Sequence, residues 1–567
     1  MKQLRAILIL WIGFGLSAGI GVQADDSSAT SPHQAAVASA HPSATAVGQK
    51  ILQDGGNAFD AAIAVSAALA VVEPYSSGIG GGGFYLVHRE ADGKQTMIDA
   101  REKAPQASTH DMYLDAKGEF VREFALNGPL AAGIPGLPAG LVHLAEHYGR
   151  LPLAASLAPA VALAENGFVV TSRYERMARF RTSAFAKHPH GADIFLGADR
   201  VVKVGETIVQ ADLAATLRLI GEQSNAGFYT GELAKKMVDG VQAAGGIWTM
   251  DDLANYNVVE REPIVINYRG VKIISAPPPS SGGVVLAEAL HVLSEFDLSQ
   301  MGDNTRRHVV IEAMRRAYRD RAEYLGDPDH TDIPLARLVS PSYGKSLAAD
   351  LSVDKATPST DLRPLEPPKG CDTTHFSVLD THGNRVAGTL SVNYPFGAAF
   401  VPPGTGVLLN NEMDDFSARP LTPNVYGLVG VGANAIAPGK RPLSSMTPTF
   451  LETQDRVGIL GTPGGSRIIS MVLVGLLEFV DGRKPQAWVS AKRYHHQYLP
   501  DEVQFERGGL SAEAQRDLIQ RGHQLKENSR NYGNMHAILW NRATDEVDAA
   551  SDPRGEGAAS VFAVPME

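Results

Sequence analysis

The chain has 567 residues, long enough to bury a large core without disulfide or metal staples. Its 44% apolar and 20% charged residues are ordinary globular usage and exclude a disordered, collagen-like or coiled-coil chain. A net charge of −11 without a basic block argues against nucleic-acid binding, and the single cysteine, Cys371, excludes an intrachain disulfide, a cysteine zinc site and an iron–sulfur centre.

Residues 1–24 read as a secretory signal. Lys2 and Arg5 form a basic start, Ala6 to Leu16 is nearly all apolar, and Val22-Gln23-Ala24 is a small-x-small cleavage site. No later stretch reaches the roughly 20 apolar residues of a spanning helix. The expectation is a soluble periplasmic or secreted protein, without membrane attachment once the signal is removed. Ser43 to Gln53 reads as a helix stopped by Asp54-Gly55-Gly56. Asn57 caps a second helix, Ala58 to Val72, ended by Pro74. A glycine run, Gly78 to Gly83 with Ile79 inside it, leads into a strand at Phe84–Val87. A long helix is predicted from Thr305 to Tyr324, stopped by Gly326-Asp327-Pro328. Residues 353–372, with Pro358, Pro364, Pro367 and Pro368 among charges, read as an exposed linker, after which the chain turns strand-rich. Without a regular βαβ rhythm, α+β layers are expected over a doubly wound parallel sheet.

Several short motifs fail on context. Gly15-Leu16-Ser17-Ala18-Gly19 matches a serine-hydrolase elbow but lies in the signal segment. Ser342-Tyr343-Gly344-Lys345 matches S-x-x-K without its S-D-N or K-T-G partners. The glycine run lacks the Lys-Ser/Thr of a phosphate loop and precedes a strand. His188/His190 and His495-His496 have no third ligand at helical spacing, so they read as structural.

The segment with chemistry follows the linker. Cys371-Asp372-Thr373-Thr374-His375-Phe376-Ser377-Val378-Leu379-Asp380 turns at Thr381-His382-Gly383-Asn384 and returns as Arg385 to Asn393, a hairpin signal. With the turn centred on His382, Thr373 faces Ser391, two hydroxyls on neighbouring strands. Taken alone this reads first as a plain cross-strand pair.

A wider pattern runs through Gly55-Gly56-Asn57-Ala58-Phe59-Asp60, Asp99-Ala100-Arg101-Glu102-Lys103-Ala104-Pro105, Pro277-Pro278-Pro279-Ser280-Ser281-Gly282-Gly283, Asp372-Thr373-Thr374-His375, Asn410-Asn411-Glu412-Met413-Asp414-Asp415-Phe416, Arg441-Pro442-Leu443-Ser444-Ser445-Met446, Gly464-Gly465-Ser466-Arg467 and Ser551-Asp552-Pro553-Arg554. Together these blocks resemble the γ-glutamyltranspeptidase family of N-terminal nucleophile hydrolases. The resemblance implies an αββα sandwich, two stacked mainly antiparallel sheets between helical layers. It implies a precursor that cuts itself between Asp372 and Thr373 into a large subunit, 25–372, and a small subunit, 373–567, which share one core and stay associated as a heterodimer. No cofactor and no metal are implied.

The same resemblance implies the roles of the matched residues. Thr373 is the nucleophile, its new α-amine the base, and Ser391 the hydroxyl beside it. Gly464 and Gly465 present backbone N–H groups to the oxyanion. Arg101, Ser444 and Ser445 receive the α-carboxylate of a γ-glutamyl group, while Glu412, Asp415 and Asn393 receive its α-ammonium. Residues 420–431, with Tyr426, resemble a lid. The implied reaction moves a γ-glutamyl group from glutathione or a related amide to water, an amino acid or a peptide. A glutaryl (cephalosporin) acylase on the same scaffold and an inactive binding homologue are the alternatives. Two features depart from the family: Ser391 stands where a second Thr is usual, and Pro395 closely follows Asn393.

Overall fold

A computed structural model describes residues 31–197, 200–359, 373–419 and 422–565. The signal segment, Cys371, Asp372 and most of the 353–372 segment lie outside the described residues. Among those described, no helix is long and apolar enough to cross a membrane.

The chain opens with strand β1 (Gln34–Ser39), helix α1 (Pro42–Gln53) and helix α2 (Ala58–Val72). Asn57 caps α2 through the N–H groups of Phe59 and Asp60, and Asp60 closes the capping box by accepting from the Asn57 N–H. Then come β2 (Gly82–Arg89) and β3 (Lys94–Ala100), a run of helices between residues 122 and 254, and β4 (Val259–Arg261), β5 (Ile264–Tyr268) and β6 (Val271–Ser275). Helices α3 (Gly282–Ser294) and α4 (Asp303–Tyr324) complete this part. The second part supplies β7 (Thr374–Leu379), β8 (Arg385–Ser391), β9 (Thr449–Glu452), β10 (Arg456–Gly461), helix α5 (Ile468–Val480), β11 (His536–Asn541), β12 (Glu546–Ser551) and β13 (Ala558–Ala563).

Two sheets carry the fold. One runs β13-β1-β7-β8-β2-β3-β4, the other β12-β11-β10-β9-β6-β5, and every ladder in both is antiparallel. Alternation along the strands sorts the side chains. Val37, Tyr85, Val87 and Val378 join the core with α1 and α2. Ala36, Ala38, Phe84, Leu86 and Leu379 face the opposite core, shared with Ile274, Phe450 and Ile459 of the second sheet and with α3, α4 and α5. The order of layers is therefore helix, sheet, sheet, helix, as expected for the αββα sandwich.

The hairpin β7–β8 has the expected register, with Arg385 opposite Leu379 and Leu390 opposite Thr374. Asp380 organises its turn by accepting from the N–H groups of His382 and Asn384, and it also accepts from Ala58 N at the start of α2. The glycine run serves close packing. A Cβ on Gly81 would come within 2.1 Å of the Ser391 carbonyl oxygen, so only glycine lets this backbone pass the end of β8.

Over its described start the linker is exposed at Asp354, Lys355 and Pro358, as expected, but it is anchored at two points. Ala356 and Ser359 are buried, Ala356 N donates to the Arg521 carbonyl at 2.8 Å, and Ser359 N donates to Asp501 at 2.7 Å. Both partners lie more than 140 residues away, so local composition does not reveal them.

Candidate active site

Thr373 stands just before β7 and is almost fully buried. Its hydroxyl lies 3.4 Å from the Ser391 hydroxyl at the end of β8. That separation is long for an O–H···O bond, so the pair is adjacent without being tightly engaged. Ser391 Oγ also accepts from Asn393 N at 2.7 Å. Asn393 sits at φ 70°, the left-handed region that Asn tolerates, and donates to the Asn411 carbonyl at 2.9 Å.

A pocket opens over this pair. It is lined by Thr373, Ser391, Asn393, Glu412, Asp415, Tyr426, Ser444, Ser445 and Gly465, together with Leu428, Met446 and Ile468. The last three were not singled out from sequence. Their apolar side chains carry no chemical signature, although Met446 ends a matched motif and Leu428 lies in the 420–431 segment. Arg101 and Gly464 are not among the lining residues: Arg101 contacts the pocket acids Glu412 and Asp415, and Gly464 adjoins Gly465.

Glu412 and Asp415 lie on one 3-10 turn, Glu412–Asp415. Arg101, fully buried after β3, donates to Glu412, to Asp415 at 2.6 Å and, through Nε, to the Pro442 carbonyl at 3.1 Å. Glu102 lies 3.5 Å from the same guanidinium. One cation thus faces two buried acids, Glu102 and Glu412, and the part-buried Asp415. Burial pushes the Glu102 carboxyl up to about 7, against the pull of Arg101. Burial, with Glu102 nearby, raises Glu412; burial also raises Asp415, opposed by Arg101. Both Glu102 oxygens and one Glu412 oxygen have no hydrogen-bond partner in the structure.

On the opposite side Ser444 N donates to the Pro279 carbonyl and the Ser281 hydroxyl donates to the Ser444 carbonyl, both at 2.8 Å. Gly464 and Gly465 have φ values of 147° and 55° and lead into α5. A Cβ on Gly465 would meet the Tyr426 ring at 2.4 Å, so the absence of a side chain lets Tyr426 cover this turn. Tyr426 OH donates to the Asn393 carbonyl. The described part of the lid segment is tied down further: Asn424 donates to Asp415 at 2.9 Å and Val425 N to Asp414 at 2.8 Å.

The histidines form no open ligand set. His495 pairs with Ser470 and Gln497, His496 with Asp501, and the His188 ring packs on Phe400. A separate buried group, His308, Glu312 and His523, brings three donor atoms close together. It escaped the sequence reading because His523 is remote from the His308/Glu312 pair on α4. Its Glu312 carboxylate accepts from Arg315, Arg316 and Thr357 N, and His308 Nδ1 lies 2.8 Å from His523 Nε2. Two guanidiniums against the only carboxylate make this a poor cation site.

With this geometry in view, the comparisons with known proteins are decisive. The model of the gamma-glutamyltranspeptidase family matches residues 44–562. The chain belongs to the γ-glutamyltranspeptidase family. The glutathione hydrolase proenzyme of Escherichia coli (strain K12) is 42% identical over 543 residues, spanning 94% of this chain and 93% of its own. The acylase ACY 1 proenzyme of Pseudomonas sp. (strain V22) is 36% identical over 519 residues, spanning 88% and 89%. Among solved structures, a cephalosporin acylase from Bacillus halodurans superposes with a TM-score of 0.82 at 30% identity, covering 94% of this chain and 96% of its own. The fold is that of the N-terminal nucleophile hydrolases of this γ-glutamyltranspeptidase family.

Proposed function

We propose that this enzyme is an autoprocessed γ-glutamyl acyltransferase that cleaves glutathione and related γ-glutamyl amides. The observation that carries the reading is one pocket with three chemistries: the Thr373–Ser391 hydroxyl pair, the acids Glu412 and Asp415, and the seryl hydroxyls of Ser444 and Ser445. In maturation, Thr373 Oγ1 attacks the Asp372 carbonyl carbon. The peptide C–N bond breaks as the acyl group passes to oxygen, and water then hydrolyses the ester, leaving Asp372 as a carboxylate and Thr373 with a free α-amine. That amine has a reference pKa of about 7.7–8.0, so near neutral pH a useful fraction can take the proton of its own hydroxyl.

In turnover Thr373 Oγ1 attacks the γ-carbonyl, and the N–H groups at Gly464 and Gly465 receive the oxyanion. Collapse expels the amine with the proton held by the Thr373 amine. Water or the amine of an amino acid or peptide then attacks the γ-glutamyl ester and restores Thr373. Glu412, Asp415 and Asn393 hold the α-ammonium; Ser444, Ser445 and Arg101 serve the α-carboxylate. Large and small subunits remain together, and the signal segment sends the protein to the periplasm or the medium.

The acylases among its relatives suggest a glutaryl donor as the second reading. A glutaryl group has no ammonium, and two acids lining one pocket favour the γ-glutamyl group. The test is a denaturing gel followed by kinetics. Wild type is expected to run as the 25–372 and 373–567 pieces and to prefer γ-glutamyl anilide over glutaryl-cephalosporin. Thr373→Ala is expected to run as one inactive chain. Processing of Thr373→Ala, or preference for the glutaryl donor, would overturn the reading.

A further inference from the structure

Helix α4 sends two side chains toward the pocket from one face, at i and i+3. Tyr318 OH donates to the carbonyl of Ser466, in the turn that begins at Gly464-Gly465. Arg321 Nε donates to Ser281 Oγ at 3.0 Å, and its Nη2 donates to Ser445 Oγ at 3.3 Å. Ser281 in turn grips Ser444 twice, since its hydroxyl and its backbone N–H both donate to the Ser444 carbonyl at 2.8 Å. Ser281 sits at the N-cap of α3 but caps nothing with its side chain, which is committed to this clamp.

Arg321 differs from its neighbours on the same helix. Arg315 and Arg316 are ion-paired to Glu312, Asp501 and Asp350. Arg321 is just as buried, yet among the described residues no carboxylate lies within 4 Å of its guanidinium. The acid it senses is Asp415, which is already engaged by Arg101 and Asn424. Burial lowers its pKa to about 10, so it is still a cation near neutral pH. A buried cation without a direct counterion is costly unless an anion is supplied.

The hydrogen-bond inventory shows where that anion fits. Ser445 Oγ accepts from Arg321, so the Ser445 O–H remains free to donate, and no acceptor pairs it among the described residues. Ser444 Oγ likewise accepts from Met446 N at 3.1 Å. Both serines therefore turn donors toward the pocket they line, with a cation directly behind one of them.

We infer that Arg321 is a positioning and specificity residue for the acyl donor: it orients and polarises the Ser445 hydroxyl and supplies the charge that makes the Ser444–Ser445 turn select a carboxylate. This rests on the γ-glutamyl reading above for the identity of the donor. Arg101 pairs with the acids Glu412 and Asp415 as well as serving the carboxylate, whereas Arg321 reaches the carboxylate only through the Ser445 hydroxyl.

The experiment compares Arg321→Met with wild type on three anilide donors: γ-glutamyl, glutaryl (carboxylate without ammonium) and 4-aminobutanoyl (ammonium without carboxylate). kcat/KM should fall about 10- to 100-fold for the first two, mainly through KM, and less than about 3-fold for the third. Arg321→Lys should recover part of the loss. Ser445→Ala should remove most of the remaining effect, because both changes break one unit. Two-band processing on a gel checks that each variant folds. An equal loss on all three donors, or unchanged kinetics, would overturn the inference. A wild type that used the glutaryl donor and ignored the γ-glutamyl one would overturn the functional reading instead, while the glutaryl arm would still test Arg321.

Discussion

Two of the buried charge clusters in this molecule are built on opposite rules. Around Arg101 three acids compete for one guanidinium, and among the described residues both Glu102 oxygens and one Glu412 oxygen have no hydrogen-bond partner. Around Glu312 each carboxylate oxygen is used: Glu312 takes Arg315, Arg316 and Thr357 N, while Asp501 takes Arg315, His496 and Ser359 N. The second cluster staples α4 to the 350–359 segment and to the 496–523 region, and its completeness is what structure requires. The first borders the pocket and leaves capacity for a ligand. Incomplete satisfaction thus distinguishes these two clusters where burial and charge alone would not.

The comparison can be broken most forcefully at Glu312. Glu312→Ala strands Arg315 and Arg316 in the interior and should cost about 3–5 kcal/mol, read as a large fall in Tm, with kinetics of the surviving folded enzyme near wild type. Asp415→Asn should do the reverse. Losing a charged hydrogen-bond partner of the donor, about 1.5–3 kcal/mol, should lower kcat/KM about 10- to 100-fold, with Tm held or raised because an excess acid is gone. A Tm loss equal to that of Glu312→Ala would erase the distinction.

The clusters should also answer pH in opposite senses. The Glu102 carboxyl keeps its proton in the fold up to about 7, whereas the unfolded chain releases it near 4.5. The unfolded state therefore binds fewer protons between those values, and stability falls as pH rises through that window. His523 is held neutral down to about 3 by burial, while an unfolded histidine takes its proton near 6.5, so stability falls as pH drops below that value. His308 and His496, also lowered by burial, add to the acid side. Thermal melts from pH 4 to 8 should show Glu102→Gln flattening the rising-pH loss and His523→Gln flattening the falling-pH loss, each about 1–3 kcal/mol. Swapped effects would refute both assignments. The smallest change is inside the pocket. Ser391→Ala should leave the fold intact and lower kcat about 5- to 30-fold, worth about 1–2 kcal/mol, in steady-state measurements on fully processed enzyme. An unchanged kcat would reduce the Thr373–Ser391 contact to a sheet pair.

Local signals carried well from sequence to structure. The Asn57 cap set α2 to Ala58–Val72, and the turn at Thr381–Asn384 set a register that brings Thr373 to Ser391. What stayed hidden depends on distant partners. Arg101 meets Glu412 across more than 300 residues, which no local pattern encodes. Helix α4 is denser still in charge, yet Arg315, Arg316, Asp320 and Arg321 are all buried, met by Asp501, Asp350, Tyr343 and Ser281 from other elements. The motifs located the pocket's polar rim, while its apolar wall of Leu428, Met446 and Ile468 was silent because such residues are equally at home in any core.

The strand order has a consequence for the mature enzyme. In the first sheet β1 from the front of the chain is held between β13 and the β7–β8 pair, which is followed by β2, β3 and β4, and in the second the block β12 to β9 continues through β9 into β6 and β5. A cut before Thr373 would leave two polypeptides woven through each other like interlaced fingers. Such a pair has no docking face to part along. Dilution should not separate it, and separately expressed halves should fail to meet, since each would have to fold with gaps in its sheets waiting for the other. Cleavage would then be a one-way record of having folded once as a single chain.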